Sequence, residues 1–428
     1  MIWLLYNVLI VLFSPLWVPW MILRTKRRKE APNWRERVGD YEIARRRDRK
    51  RIWLHAVSVG EVKAAEPILR EVRALLPDFE IVLTTTTSTG YGLAKGLQGT
   101  LVDSVFYFPV DVPRFCVNAL IRVEPCVVAV LETELWLNFL QSARSLGAKT
   151  CLLNARISDR SYKRARFFKW FYRAVLRHVE FCGAQSEVDA QRLRSLGAER
   201  VEVLGNSKFD EAQPERSERS FREQMGVSEE ETLIVVGSVR GEDEEDFVLD
   251  SLQGVQSRVL FAPRHIERAE AIREKAERRG FEVGFRSRGE WDRRMVILDT
   301  IGELASAYEE ADLAIIGGGF ARSGGQNLIQ PMAVGVPVIC GPHMFNFRTV
   351  FDMARRAGAV AVASTPEELR DHVVRLLADP AARSQMGAAG REIVETNRGS
   401  SRRYAEVVRR LADEFFSARE QRRQSHRG

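Results

Sequence analysis

Short apolar runs and amphipathic stretches follow one another along this chain, with strand and helix spacing in turn. Residues 51–59 form a β-type run ending at Gly60, and Ala64, Ala65, Ile68, Leu69, Val72 and Leu76 then recur at helical spacing. Residues 80–87 predict the next strand, after which Ser88-Thr89-Gly90 opens a helix with a capping residue. Buried runs at 105–108, 126–131 and 150–154 continue the alternation. A second series has runs at 232–237, 258–262, 295–298, 313–316 and 336–340, each followed by a helix or a glycine turn. Such alternation predicts an α/β protein with parallel, doubly wound sheets. The polar segment 211–220, with Pro214, reads as a linker between the two series. The expected organisation is one Rossmann-like unit over 51–212 and another over 213–398, with 399–428 as a helix and basic tail. Two such units would face each other across a cleft, and ligands of these sheets bind beyond the carboxyl ends of the strands.

The amino terminus breaks this pattern. Residues 2–23 carry no charge and are rich in Leu, Ile, Val and Trp. As a helix they cover roughly 33 Å, enough for a bilayer core of about 30 Å. Trp3 and Tyr6 at one end, with Trp17 and Trp20 at the other, suit the two membrane interfaces. No positive charge precedes the run and no small-residue cleavage site follows it, so 1–23 reads as an anchor rather than a signal peptide. Pro15 and Pro19 also admit an interfacial hairpin or shallow helix.

Charge refines the picture. The net charge is +7, but residues 24–51 alone hold 13 Lys/Arg against 5 Asp/Glu, which leaves the remainder close to neutral. The basicity is therefore a juxtamembrane belt over 24–50, suited to anionic inner-membrane lipids, and not a nucleic-acid surface. By the positive-inside rule it places the rest of the chain in the cytoplasm. Cys116, Cys126, Cys151, Cys182 and Cys340 show no paired short spacing, which predicts reduced, buried thiols with neither a zinc site nor disulfides.

Candidate chemistry sits at strand-to-helix junctions. In His55-Ala-Val-Ser-Val-Gly-Glu61, Gly60 permits a tight turn and Glu61 falls in the first turn of the helix. An acidic residue there also stabilises the helix dipole, so the position alone does not decide its role. Glu132 and Glu134 follow a buried strand directly, and their spacing requires only one of them to face the cleft. Lys208 could bring positive charge to a leaving phosphate. The second half offers Gly237-Ser238, Pro263-Arg264-His265, Gly302-Glu303-Leu304, Gly317-Gly318-Gly319 and Gly324-Gly325-Gln326-Asn327. Glycines at such junctions let backbone N–H groups approach phosphate. None has the spacing of an ATPase phosphate loop or a dinucleotide fingerprint.

Taken together, these segments resemble the Kdo (3-deoxy-D-manno-octulosonic acid) transferases. The likeness is carried by His55-Ala-Val-Ser-Val-Gly-Glu61, Thr84-Thr-Thr-Thr-Ser-Thr-Gly90, Pro109-Val-Asp111 and Glu132-Thr-Glu-Leu-Trp136. It continues through Asn154-Ala-Arg156-Ile-Ser158, Gly205-Asn-Ser-Lys-Phe-Asp210, Pro263-Arg-His265 and Gly341-Pro-His343. The resemblance implies a GT-B glycosyltransferase that moves Kdo from CMP-Kdo to the lipid A precursor lipid IVA. It also implies inversion at the anomeric carbon with no metal or other cofactor, at the cytoplasmic side of a bacterial inner membrane. Glu61 would be the general base, Glu132 and Lys208 transition-state stabilisers. CMP would be held by Pro263, Arg264, Gly302, Glu303, Leu304, Asn327, Leu328, Ile329 and Gln330. One segment departs from the family: Gln326 stands where members usually have His, and Gln330 where they have Glu. Two alternatives stay open, a GT-B transferase with another donor or lipid acceptor, and a non-catalytic nucleotide-binding paralogue.

Overall fold

The computed structural model describes residues 2–27, 33–46, 48–211, 220–228 and 230–425, so most of the expected linker lies outside the described residues. The chain divides into two compact units, Met1–Glu211 with Arg398–Gly428, and Ala212–Asn397. The first is built on seven parallel strands: β1 (Arg51–His55), β2 (Glu80–Thr85), β3 (Ser104–Tyr107), β4 (Val127–Leu131), β5 (Lys149–Ala155), β6 (Phe181–Ala184) and β7 (Val201–Val203). Their spatial order is β3-β2-β1-β4-β5-β6-β7. β1 and β4 are buried along their whole length, as continuous apolar runs are when helices cover both faces of a parallel sheet.

One face of this sheet is covered by the helix Val59–Leu75 and by the last helix, Ser400–Ser425. The tail thus belongs to the first unit. Asp210 secures it, accepting hydrogen bonds from Gly399 N at 2.7 Å, Ser400 Oγ at 2.9 Å and Ser401 N at 2.7 Å. The helices Pro113–Val123, Leu137–Ser145 and Glu187–Leu196 contribute to the core on the other face.

The second unit repeats the plan with β8 (Leu233–Val239), β9 (Arg258–Pro263), β10 (Val283–Phe285), β11 (Met295–Ile297), β12 (Leu313–Ile316), β13 (Val338–Cys340) and β14 (Val360–Val362). The order is β10-β11-β9-β8-β12-β13-β14, again parallel throughout. The first sheet winds outward from β1 and restarts on the other side at β4; in the second, β11 returns between β9 and the edge strand β10 before the chain restarts at β12. The reversals fall between β1 and β4 and between β8 and β12. Such switch points open a crevice at the carboxyl ends of the two strands concerned.

The amino-terminal helix Ile2–Arg27 runs unbroken through Pro15 and Pro19, and its segment Ile2–Pro19 is long and apolar enough to cross a membrane. Several arginines after it are engaged within the first unit. Arg35 pairs with Asp40 and Glu42, Arg46 with Asp48 and Glu80, and the buried Arg51 with Glu80. Arg37 and Arg49 donate to backbone carbonyls. These arginines are structural parts of the first unit, while residues 28–32 and Arg47 lie outside the described residues.

Candidate active site

Glu61 occupies the first turn of the helix Val59–Leu75, directly after β1. Gly60 is not in a tight turn: it lies inside the helix without a left-handed φ, and an added Cβ would meet only Ser58 Oγ at 3.9 Å. The Glu61 side chain turns back, and its Oε2 accepts a hydrogen bond from Val57 N at 2.7 Å. It is 9% exposed. Burial pushes its carboxyl up to about 8, and the negative charges of Glu132 and Glu134 push the same way. The Val57 N–H and the positive charge of Lys208 oppose them. The structure therefore brings Glu61, Glu132 and Lys208 together, and adds Glu134, so both carboxylates after β4 act on Glu61 rather than one.

Their placement follows from local structure. Glu132 begins the chain beyond β4 at φ +52°, an uncommon conformation for a residue with a Cβ. Its N–H still donates to Leu153 O at 2.9 Å, so the turn leaves the sheet without breaking it. Burial, then the Glu132 charge, pushes the Glu134 carboxyl upward. Lys208 sits in a short 3₁₀ turn, Ser207–Asp210. Asn154 Oδ1 receives Ser207 N at 3.2 Å, Ser207 Oγ donates to Ala64 O at 2.9 Å, and Asp210 binds the last helix. The lysine is thus held by the end of β5 and by the helix that carries Glu61.

His55 is held in the core at the end of β1. It is fully buried, its ring stacks on Phe108 at 3.8 Å, and its Nδ1 faces Thr84 O at 3.0 Å. Burial pushes its pKa down to about 3, so the ring is neutral. Its Nε2, with Thr86 Oγ1, Trp136 Nε1 and Asn154 Nδ2, is buried without a hydrogen-bond partner among the described residues. All four residues stand at or just beyond the ends of β1, β2, β4 and β5. Buried polar atoms are seldom left unpaired, so this concentration marks an edge that a polar ligand can complete. The motifs contained these residues, but no spacing rule distinguished them.

In the second unit the expected nucleotide contacts follow β9, β11 and β12. Pro263 ends β9 and Arg264 is exposed beyond it. Glu303 is already engaged by Arg286 at 2.8 Å and by Thr300. Asn327 Oδ1 accepts from Ile329 N at 3.0 Å. Leu328 and Ile329 are fully buried, so they present main chain rather than side chains to any ligand. Gln330 is half-buried at the start of the helix Ile329–Ala333. The Gly317-Gly318-Gly319 turn differs from the phosphate-binding expectation. Glu244, 1% exposed, accepts Gly318 N at 2.7 Å, Phe320 N at 3.0 Å and Ala321 N at 3.4 Å. An internal carboxylate takes the N–H groups that a phosphate would need. Among the described residues, no three His, Cys, Asp or Glu side chains are grouped to hold a metal ion. All five cysteines are free and buried, as expected.

Two parallel seven-stranded Rossmann-like units with their switch-point crevices place the chain in the GT-B class of folds. A glycosyltransferase from Rickettsia africae shares that fold, with a TM-score of 0.54 at 12% identity, over 86% of this chain and 98% of its own. Residues 32–211 match the family described as 3-deoxy-D-manno-octulosonic-acid transferase (kdotransferase), and residues 258–409 a glycosyl transferase-like family. A 3-deoxy-D-manno-octulosonic acid transferase of Bordetella pertussis is 33% identical over 83% of this chain and 86% of its own length. One from Haemophilus influenzae is 30% identical over 94% and 97%. The chain belongs to the Kdo transferase family.

Proposed function

We propose that this protein transfers Kdo from CMP-Kdo to a lipid A precursor such as lipid IVA, with inversion and without a metal. The reaction takes place at the cytoplasmic face of the inner membrane, with the amino-terminal helix as anchor. The observation that carries this reading is the gathering of Glu61 with Glu132, Glu134 and Lys208 beside the first switch point. A sugar hydroxyl is a very weak acid, so its attack needs a base that takes the proton as the new bond forms. Glu61, pushed up to about 8, is a stronger base than an ordinary carboxylate. The acceptor oxygen bonds to the anomeric carbon, its proton passes to Glu61, and the bond from that carbon to the CMP phosphate oxygen breaks. CMP leaves with the electron pair.

Glu132 stabilises the positive charge that develops on the sugar, and Lys208 the negative charge on the leaving phosphate. Within the second unit, Pro263, Arg264, Gly302-Glu303-Leu304 and Asn327–Gln330 would hold the nucleotide. The test is mass spectrometry of the product made from CMP-Kdo and tetra-acylated precursor. A mass gain of one or more Kdo residues supports the proposal; no gain with CMP-Kdo, while another sugar nucleotide reacts, refutes the donor. Gln330 favours that second reading, because it lacks the charge with which the family's Glu would hold the ribose.

A further inference from the structure

The amino-terminal helix is tied to the first unit at both ends. Tyr6 Oη donates to Asp111 Oδ2 at 2.9 Å, and Asn7 and Asn138 exchange side-chain hydrogen bonds at 3.0 and 2.9 Å. Ile2 and Tyr6 also pack against the core of the first unit. The other end is tied by the chain itself. Asn33 caps the short helix Trp34–Arg37, whose Glu36 is buried and accepts Tyr107 N at 2.7 Å. Six residue steps separate Arg27 from Asn33, a reach of at most about 21 Å. A helix spanning Ile2–Arg27 is about 38 Å long and a bilayer core about 30 Å thick. The hydrogen bonds keep the first end beside the unit, and the link is too short to bring the second end from across a bilayer. Both ends stay on one side.

A second element lies next to it. The helices Asp159–Phe167 and Lys169–Leu176 meet at Phe168, and Phe171 packs tilted against Tyr6 with ring centroids 5.6 Å apart. Their inner residues Ala165, Ala174, Val175 and Leu176 are buried. Their joint is not: Phe167 is 85% exposed, Phe168 57% and Trp170 48%. Residues 160–179 hold seven Lys/Arg and no Asp/Glu. Arg160, Lys163, Arg164, Arg166, Lys169 and Arg173 are exposed and form no salt bridge with a described residue. Exposed aromatics ringed by exposed cations complement an anionic lipid interface. Trp3, Leu4, Leu5 and Val8 of the neighbouring helix extend the apolar surface.

We propose that the helix Ile2–Arg27 lies along the membrane surface rather than crossing it. With the aromatic joint it forms one face that enters an anionic leaflet. The proposal rests on the reading of this helix as a membrane anchor, and the experiment separates the two. Because the five native cysteines are buried, introduced cysteines in the full chain label selectively. A cysteine inserted after Met1 should react with a membrane-impermeant maleimide in inverted inner-membrane vesicles and not in spheroplasts. Reaction in spheroplasts overturns the surface-lying helix. In nanodiscs containing phosphatidylglycerol, an environment-sensitive dye on Phe168→Cys should shift to shorter wavelength and be quenched by nitroxide lipid. The same dye on Arg70→Cys, on the helix of the opposite layer, should not. The triple variant Lys163→Glu, Arg166→Glu, Lys169→Glu should lose the shift at 168 while staying with the disc. No shift, an equal shift in phosphatidylcholine discs, or a shift only with two copies per disc overturns the lipid contact. Absence of the chain from discs and membranes alike sinks the anchor reading, and this proposal with it.

Discussion

Replacing Glu61 by Gln should stabilise the protein and abolish its reaction, and the stabilisation should grow with pH. The carboxyl ordinarily titrates near 4.5 and is pushed up to about 8 by burial and by Glu132 and Glu134. The folded chain therefore holds this proton more tightly than the unfolded chain does. Its contribution to stability is fully present below about 4.5 and is lost as pH rises through about 8. The loss amounts to about 5 kcal/mol across that window, and about 3 kcal/mol of it has gone by pH 7. Gln keeps an oxygen for the Val57 N–H but has no charge to desolvate. At pH 5 the variant and parent should melt within a few degrees of each other. At pH 9 the variant's first unit should melt about 10 °C higher, since 1 kcal/mol moves a unit of this size by about 2–4 °C. Scanning calorimetry at several pH values, with hydrogen exchange over β1 to assign the transition, measures the difference. A melting difference that does not change with pH would falsify the burial argument. A variant that keeps full kcat removes Glu61 as the base.

The remaining predictions concern partners of that site and the second unit. In the parent, kcat/KM should rise with pH and level off above about 8, because only ionised Glu61 accepts the proton. Glu132→Gln removes a like charge and should move that limb to lower pH, whereas Lys208→Met should move it higher; limbs that stay in place would show that these groups do not act on Glu61. Gln330→Glu should lower the donor KM by about tenfold if a charged hydrogen bond to the ribose replaces a neutral one. An unchanged KM would end that argument. Glu244→Ala leaves four N–H groups unpaired and should destabilise the second unit by more than about 3 kcal/mol in urea titrations.

Ten of the fourteen strands follow from apolar runs long enough to register against their flanks. The four that do not are β6, β7, β10 and β14, of only three or four residues, and three of these are sheet edges. Val201-Glu-Val203 and Val360-Ala-Val362 are half-exposed fragments whose pairing is decided by the neighbour strand rather than by their own pattern. The periodicity of the last helix was equally plain, but not its partner, because Asp210 and Tyr404 act across nearly 200 residues. The positions of Glu61, Glu132 and Pro263 were readable because parallel sheets present functional residues after particular strands. What stayed hidden was electrostatic and conformational. The mutual repulsion of three glutamates, and the left-handed backbone of Glu132 and Asn154, depend on the folded chain. The partners of Arg35, Arg37, Arg46 and Arg49 stayed hidden for the same reason, since local carboxylates and carbonyls engage them only in the folded chain.

Glu61 differs from its counterpart in the second unit in a way that fits the proposed base. Glu244 is its positional counterpart: each is the third residue of the helix that follows the first strand of its sheet. Each turns back to accept the N–H of the residue four before it, Val57 or Arg240, at 2.7 Å. Both face a switch point. Glu244 then receives three more N–H groups from the chain after β12, so both of its oxygens are satisfied and its charge is spread over fixed dipoles. Among the described residues Glu61 receives only that one hydrogen bond, and the chain after β4 gives it Glu132 and Glu134 in place of donors. The same position in one unit closes a loop, while in the other it is left short of partners and crowded by like charge. An under-satisfied carboxylate costs stability, and a proton from a substrate hydroxyl relieves that cost. The asymmetry between two otherwise parallel halves is therefore the physical argument for the base.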